Sequence, residues 1–287
     1  MNANPAYWVD NLQPVAIHLP GGYGIRYYAL AYLLGFVAAY VMLRRAGRAG
    51  RSPLSTSAAD DALFALGLGV MIGGRLGYML LYALPELFLD PLSLFRIWEG
   101  GMSSHGGFIG VAAAMWWISR KHHISFRVLG DLLCPAVPFG LLLGRIANFI
   151  NGELWGRVSY VPWAVVFPHS APGGAPIGMI APRHPSQIYE ALLEGALLLF
   201  YGQWRFWRTA AARTPGRLSG EFLILYALVR TLCEQFREPD AALILGMSRG
   251  TFYSLFLIPV GALLIALSSR TLTDHVGPGP RQLNEPS

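Results

Sequence analysis

The sequence predicts an all-α integral membrane protein of about seven transmembrane helices with a small external cap. Three observations carry that reading. Hydrophobic residues make up 54% of the 287-residue chain and charged residues 13%, against roughly a quarter charged in soluble domains. Mean hydropathy is +0.42. Apolar runs able to cross a hydrocarbon core about 30 Å thick lie near residues 26–43, 62–84, 105–119, 128–150, 187–204, 219–237 and 250–268.

Backbone groups cannot stay unpaired in lipid, and the runs lack the ten-residue alternation of a barrel strand, so each is read as a helix. The third and fifth are short. The first 25 residues are polar, contain proline and lack a basic leader, which argues against a cleaved signal peptide. Residues 1–268 therefore read as one polytopic membrane domain, with the cap at about 151–186 and a polar tail at 269–287.

Arginine position sets the orientation. The formal net charge is +6, and the single lysine is Lys121. Arg44, Arg45, Arg48 and Arg51 follow the first run, Arg120, Lys121 and Arg127 join the third to the fourth, and Arg205, Arg208, Arg213 and Arg217 join the fifth to the sixth. The intervening loops carry only Arg96, then Arg157 and Arg183, then Arg249. The positive-inside rule puts the N-terminus outside and the C-terminus in the cytoplasm. Cationic charge placed by loop in this way indicates a membrane and no nucleic-acid partner. Cys134 and Cys233 lie in apolar runs without metal or redox spacing and read as small buried hydrophobes.

With this orientation, polar residues of separate runs gather near the outer leaflet. Arg145 and Asn148 occupy the last two turns of the fourth run and Glu153 follows it, in GRIANFINGELWGR; Arg230, Glu234 and Arg237 are spaced i, i+4 and i+7 in the sixth, on one helix face. His105 opens the third run, and Tyr27 and Tyr28 open the first. Each residue alone has a structural explanation. A histidine at a helix mouth is commonly a solvated cap, arginines near helix ends snorkel to headgroups, Arg75 inside the second run suits a carboxylate or a helix end, Glu234 suits charge neutralisation, and Tyr27, Tyr28, Trp155 and Trp163 suit an aromatic belt. The joint pattern points further, because intramembrane charge is expensive. Two arginines that converge at headgroup depth offer planar forks of donors to a phosphate whose acyl tails stay in lipid. Gly73–Gly74, Gly106–Gly107 and Gly144 permit close approach of helices or ligand. Nucleophile-elbow, zinc-binding and phosphate-loop motifs are absent, no metal or cofactor is implied, and a nucleophile would have to come from a substrate.

The stretches GGMSSHGGFIG (100–110), GRIANFINGELWGR (144–157), RHPSQIYEALLEG (183–195) and FREPD (236–240) closely resemble the bacterial prolipoprotein diacylglyceryl transferases, and the likeness runs from about residue 15 to 268. The resemblance implies an inner-membrane enzyme of seven spans with its N-terminus outside. Such an enzyme moves the diacylglyceryl group of phosphatidylglycerol onto the lipobox cysteine thiol of a lipoprotein precursor, giving a thioether and glycerol 1-phosphate. By motif position, it implies Arg145 and Arg230 as phosphate and leaving-group contacts, Asn148 and Gly156 as shapers of the headgroup site, and Tyr28 as a functional tyrosine. His105, Glu153, Glu234 and Arg237 also fall on matching positions. His105 and Glu153 are the alternative bases for the thiol proton, and an arginine field that lowers the thiol pKa is a third route. The segment between Trp155 and His184 is short for the family, which bears on precursor preference. A phospholipid-binding or transport protein without transfer chemistry is the competing class. A transporter, however, would show an internal repeat with a midplane site.

Overall fold

The computed structural model describes residues 7–20, 24–173, 175–239 and 242–273. Asp240 of the FREPD motif and residues 274–287 of the expected tail fall outside them. The chain is mainly helical: α1 Tyr27–Arg48, α2 Thr56–Leu81, α3 Leu84–Leu89, α4 Ser104–Lys121, α5 Phe126–Leu133, α6 Val137–Ile150, α7 Ser186–Glu190, a π-helical stretch Ala191–Leu197, α8 Leu198–Arg208, α9 Arg217–Glu234, α10 Arg249–Leu255 and α11 Leu257–Thr273. Among the described residues four short strands accompany them: β1 Trp8–Val9, β2 Val15–His18, β3 Gly24–Arg26 and β4 Val165–Val166. All seven apolar runs are helical over most of their length. By length and composition, Tyr27–Arg48, Thr56–Leu81 and Arg249–Ser268 are able to cross a membrane, and Phe126–Leu133 with Val137–Ile150 makes a fourth if counted as one broken span.

Three expectations need correction. The fourth run is two helices, interrupted at residues 134–136, because Pro135 and Pro138 supply no N–H to a continuous ladder. The sixth run stops being helical at Glu234, so Arg237 is not the third member of one helix face; its backbone bridges to Gly156, and Pro239 follows. The last helix continues to Thr273, past the boundary expected at 268.

Chain contacts divide the protein into two units, Leu33–Ala136 and Met1–Tyr32 with Val137–Ser287. In the Leu33–Ala136 unit, Ser55 caps α2 by accepting from Ala58 N–H at 3.1 Å. Ser103 caps α4 by accepting from Gly106 N–H at 3.3 Å. Glycines bring these two helices together: a Cβ on Gly77 would lie 2.6 Å from Gly106 Cα, and one on Gly73 2.8 Å from Gly110 Cα. Buried Arg75 donates to the carbonyls of Ser93, Leu94, Gly100 and Gly101. Its partners are thus the carbonyls of the loop that leads into α4. At the arginine-rich end, Lys121 Nζ and His122 Nε2 reach Asp61 at 2.6 and 3.0 Å.

In the other unit, β2 and β3 form an antiparallel hairpin that leads into α1, and β1 pairs in parallel with β4. The segment after α6 folds on itself through backbone bridges of Arg183 with Val158 and Val165. Trp8 stacks on Phe149 at 5.7 Å, and Phe149 meets fully buried Phe167 edge-on at 6.0 Å. α9 and α11 touch at Gly220 and Gly261, where a Cβ on either would come 2.6 Å from the other's carbonyl oxygen. Large apolar side chains such as Leu33, Phe64, Phe108 and Phe200 stand exposed, a surface that suits lipid contact.

Candidate functional site

The unit that contains α6 to α9 holds a buried lattice of three arginines and three glutamates. α6 carries Arg145, α7 ends on Glu190, the π-helical stretch carries Glu194, and α9 carries Arg230 and Glu234. Arg145 Nε lies 2.8 Å from Glu190 and its Nη2 3.2 Å from Glu194. Arg230 Nη1 reaches the same two carboxylates at 2.9 and 3.1 Å, while its Nη2 pairs with Glu234. Arg237 Nη1 joins Glu190 at 3.3 Å.

Local sequence explains the convergence. Gly195 has no side chain where α6 passes: a Cβ there would lie 2.6 Å from Leu142 Cα. That close approach, one residue from Glu194 and less than a turn from Arg145, lets the guanidinium reach across. Glu190 and Glu194 are four apart and share a face, and the π geometry under Glu194 is a local widening of the kind often found at functional sites. From α10, Gly250 covers the Arg230–Glu234 pair, since a Cβ would stand 2.7 Å from Glu234 Cδ and 2.9 Å from Arg230 Nη2.

The lattice is formally neutral, and this changes its chemical reading. Glu190 and Glu194 are fully buried, whereas the Arg145 side chain is 16% exposed, so an arriving ligand meets arginine before carboxylate. Arg145 hydrogen-bonds through Nη2 and not through Nη1 among the described residues, so the fork keeps donors to spare while its orientation is fixed by carboxylates. Orientation fixed in advance is what an electrostatic site requires.

Glu153 is placed by the end of α6. Glu153 N–H donates to Asn148 O at 3.1 Å and Gly152 N–H to Phe149 O at 2.9 Å, the 6→1 and 5→2 pair of a Schellman ending, with Gly152 at φ +60°. This ending sets residue 153 beside residue 148, and here the contact is polar: Asn148 Nδ2 and Asn151 Nδ2 donate to Glu153 Oε1 at 2.8 and 3.1 Å. Gly156 sits where backbone crowds it; a Cβ would lie 2.5 Å from His184 O and 2.6 Å from Phe236 O. Arg183 donates to the Gly156 carbonyl at 3.1 Å and Arg157 to the Arg237 carbonyl at 3.1 Å. Burial depresses the His184 pKa below its usual value near 6.5, and the ring packs against Tyr189 and Phe236. Burial raises the Asp10 carboxyl, opposed by the Leu12 N–H and by His169.

Of the residues singled out from sequence, Arg145, Arg230, Glu234 and Arg237 are joined in one lattice, and Asn148 and Glu153 in a pair beside Gly156. Arg237 is buried and ion-paired, which removes the snorkelling alternative. Tyr28 stands exposed at the start of α1, its ring 5.4 Å from that of Tyr32. His105 lies in the first turn of α4, in the Leu33–Ala136 unit, and is exposed. Gly107 and Gly144 have open space around a notional Cβ, so helix packing does not require them. Sequence reasoning assigned no role to Glu190 and Glu194. The available signal was two carboxylates at i, i+4 inside an apolar run, within the quoted RHPSQIYEALLEG. Both cysteines are free and buried, and no group of His, Cys, Asp and Glu among the described residues has metal-binding geometry.

Comparison with known proteins identifies the family. The family model described as prolipoprotein diacylglyceryl transferase matches residues 14–267. A phosphatidylglycerol–prolipoprotein diacylglyceryl transferase of Solidesulfovibrio magneticus is 47% identical over 260 residues, covering 88% of this chain and 93% of its own. Its counterparts in Aeromonas hydrophila and Zymomonas mobilis are 45% and 44% identical over 90% and 86% of this chain, and over 92% and 84% of their own lengths. The chain therefore belongs to the prolipoprotein diacylglyceryl transferase family.

Proposed function

We propose that the protein transfers the diacylglyceryl group of phosphatidylglycerol to the lipobox cysteine of lipoprotein precursors, the first step of bacterial lipoprotein maturation. Identity with transferases of that name over most of the chain supports the activity. The observation that supports the mechanism is the sharing of Glu190 and Glu194 by Arg145 and Arg230.

The precursor thiolate attacks the glycerol carbon that bears the phosphate. A carbon–sulfur bond forms, the carbon–oxygen bond breaks, and the electron pair leaves with the phosphate as glycerol 1-phosphate. Charge grows on the leaving group, so a guanidinium already held in place gains strength in the transition state. Arg145 and Arg230 take that role; Glu190, Glu194 and Glu234 orient them. Asn148 and Gly156 shape the headgroup site with Arg237 behind them, and Tyr28 contacts substrate. The thiol proton passes to His105 or Glu153, or is released by the arginine field.

The finer topology belongs to the same proposal: one membrane domain over residues 1–268, seven spans in the bacterial inner membrane, the N-terminus outside, residues 151–186 as an external cap and chemistry toward the outer leaflet. The loop distribution of arginine supports the orientation. The direct test is transfer in phosphatidylglycerol vesicles with a lipobox peptide, read by mass spectrometry. The peptide gains one diacylglyceryl unit and glycerol phosphate appears in equal amount. Folded, lipid-binding protein that leaves the peptide mass unchanged would favour a binding or transport protein.

A further inference from the structure

We propose that Gln187 is a positioning residue for the Glu153 loop, a role that rests on the transferase reading. Gln187 is fully buried at the start of α7, and its Nε2 donates to the Glu153 carbonyl at 2.7 Å. A carbonyl only accepts, so this contact fixes which end of the amide faces the loop. Next to it, fully buried Ser186 donates from Oγ to the Leu154 carbonyl at 3.1 Å.

The two side chains hold consecutive carbonyls across a strained point of backbone. Leu154 has φ +58°, a left-handed conformation that a leucine adopts at a cost and keeps only when its surroundings impose it. That residue lies between Glu153, whose carboxylate takes the Asn148 and Asn151 amides, and Gly156, whose N–H donates to His184 O at 2.9 Å. The inward face of the 184–187 segment therefore grips residues 153 to 156 at three points. Gln187 also lies one turn before Glu190, so one short helix carries both the loop contact and the carboxylate shared by the three arginines.

Gln187 Oε1 is buried without a hydrogen-bond partner among the described residues. An amide held only for stability would be poorly chosen here, because a buried unpaired acceptor is costly. Its donor contact is what the site retains.

The test uses full-length protein in phosphatidylglycerol vesicles with a lipobox peptide. Gln187→Met keeps the shape and removes the donor: kcat falls by about tenfold or more, with KM for lipid changed by less than about threefold, the pattern of lost transition-state geometry. Glu153→Gln combined with Gln187→Met costs little beyond the larger single loss, since both act on one loop. Gln187→Glu supplies a readout that a purely structural role would not move. Only a protonated carboxyl donates to the Glu153 carbonyl, so the ratio of variant to wild-type rate rises as pH falls from about 8 to about 6. Normal kcat in folded Gln187→Met, losses that multiply with Glu153→Gln, or a flat Gln187→Glu ratio would each overturn the assignment; if Gln187→Met does not fold, the ratio decides alone. A wild-type chain that transfers nothing would instead overturn the functional reading beneath it.

Discussion

Glu190 faces three guanidinium groups with no exposure of its own: its Oε1 accepts from Arg230 at 2.9 Å and Arg237 at 3.3 Å, and Arg145 Nε stands 2.8 Å from its Oε2 as an ion pair. Burying that many charges repays desolvation only while all partners are present, and removing one from a buried pair typically costs 3–5 kcal/mol. Glu190→Gln retains an acceptor but not the charge, so unfolding free energy in micelles falls by about 3 kcal/mol. Glu238→Gln, at a half-exposed carboxylate 3.4 Å from Arg183, changes it by less than about 1 kcal/mol. Equal, small effects would mean that the lattice does not hold the arginines. Sequence showed Arg145, Arg230 and Glu234 as charges too costly to be idle in an apolar run. It did not show that Glu190 and Glu194 lie opposite them, because those partners are 36 to 49 residues away along the chain, and the close packing of Gly195 on α6 that lets Arg145 reach Glu194 is a property of the fold.

Helix packing depends on absent side chains as much as on those present. In the α2–α4 pair, Gly110 lies against Gly69 and Gly73, and a Cβ there would meet backbone, which cannot swing aside. Gly107, three residues earlier, has open space around it. Gly110→Ala therefore lowers thermal stability by about 1–3 kcal/mol through overpacking, whereas Gly107→Ala is neutral or raises it by about 0.5–1 kcal/mol through helix propensity. Calorimetry of the two proteins in one detergent checks the difference in sign; a loss at Gly107 matching that at Gly110 would contradict the packing account. Both positions read alike from sequence, as small residues in SSHGGFIG, since periodicity reports a face and not its neighbour. Helix existence was legible in all seven runs because hydrophobic burial and backbone pairing demand it. Interruptions were less so: Pro135 and Pro138 were visible but lay inside an apolar run, and the departure of Arg237 from its helix follows from a backbone bridge to Gly156, 81 residues away.

At the scale of the molecule, family membership, a helical membrane-type chain and a lattice of oriented arginines meet in one claim: guanidinium groups held by carboxylates stabilise a departing phosphate. The lattice and the Glu153 loop both lie in the unit that includes Val137–Ser287, and the α2–α4 pair in the other. Composition and loop charge made the membrane character plain, whereas the neutrality of the lattice did not emerge until Glu190 and Glu194 were located. That neutrality sharpens the claim, since a free pair of arginines would bind any anion, while a compensated pair with spare donors on Arg145 rewards charge that increases during reaction. Arg145→Lys, which keeps the charge and loses the fork, retains only a small fraction of the rate. The most direct measurement is single-turnover transfer by Arg145→Ala at saturating phosphatidylglycerol, in protein shown to be folded, beside its lipid affinity. Transfer is abolished, by a factor well beyond the loss in affinity. Near-normal turnover in the folded variant would contradict the role of Arg145 and with it the proposed origin of the rate.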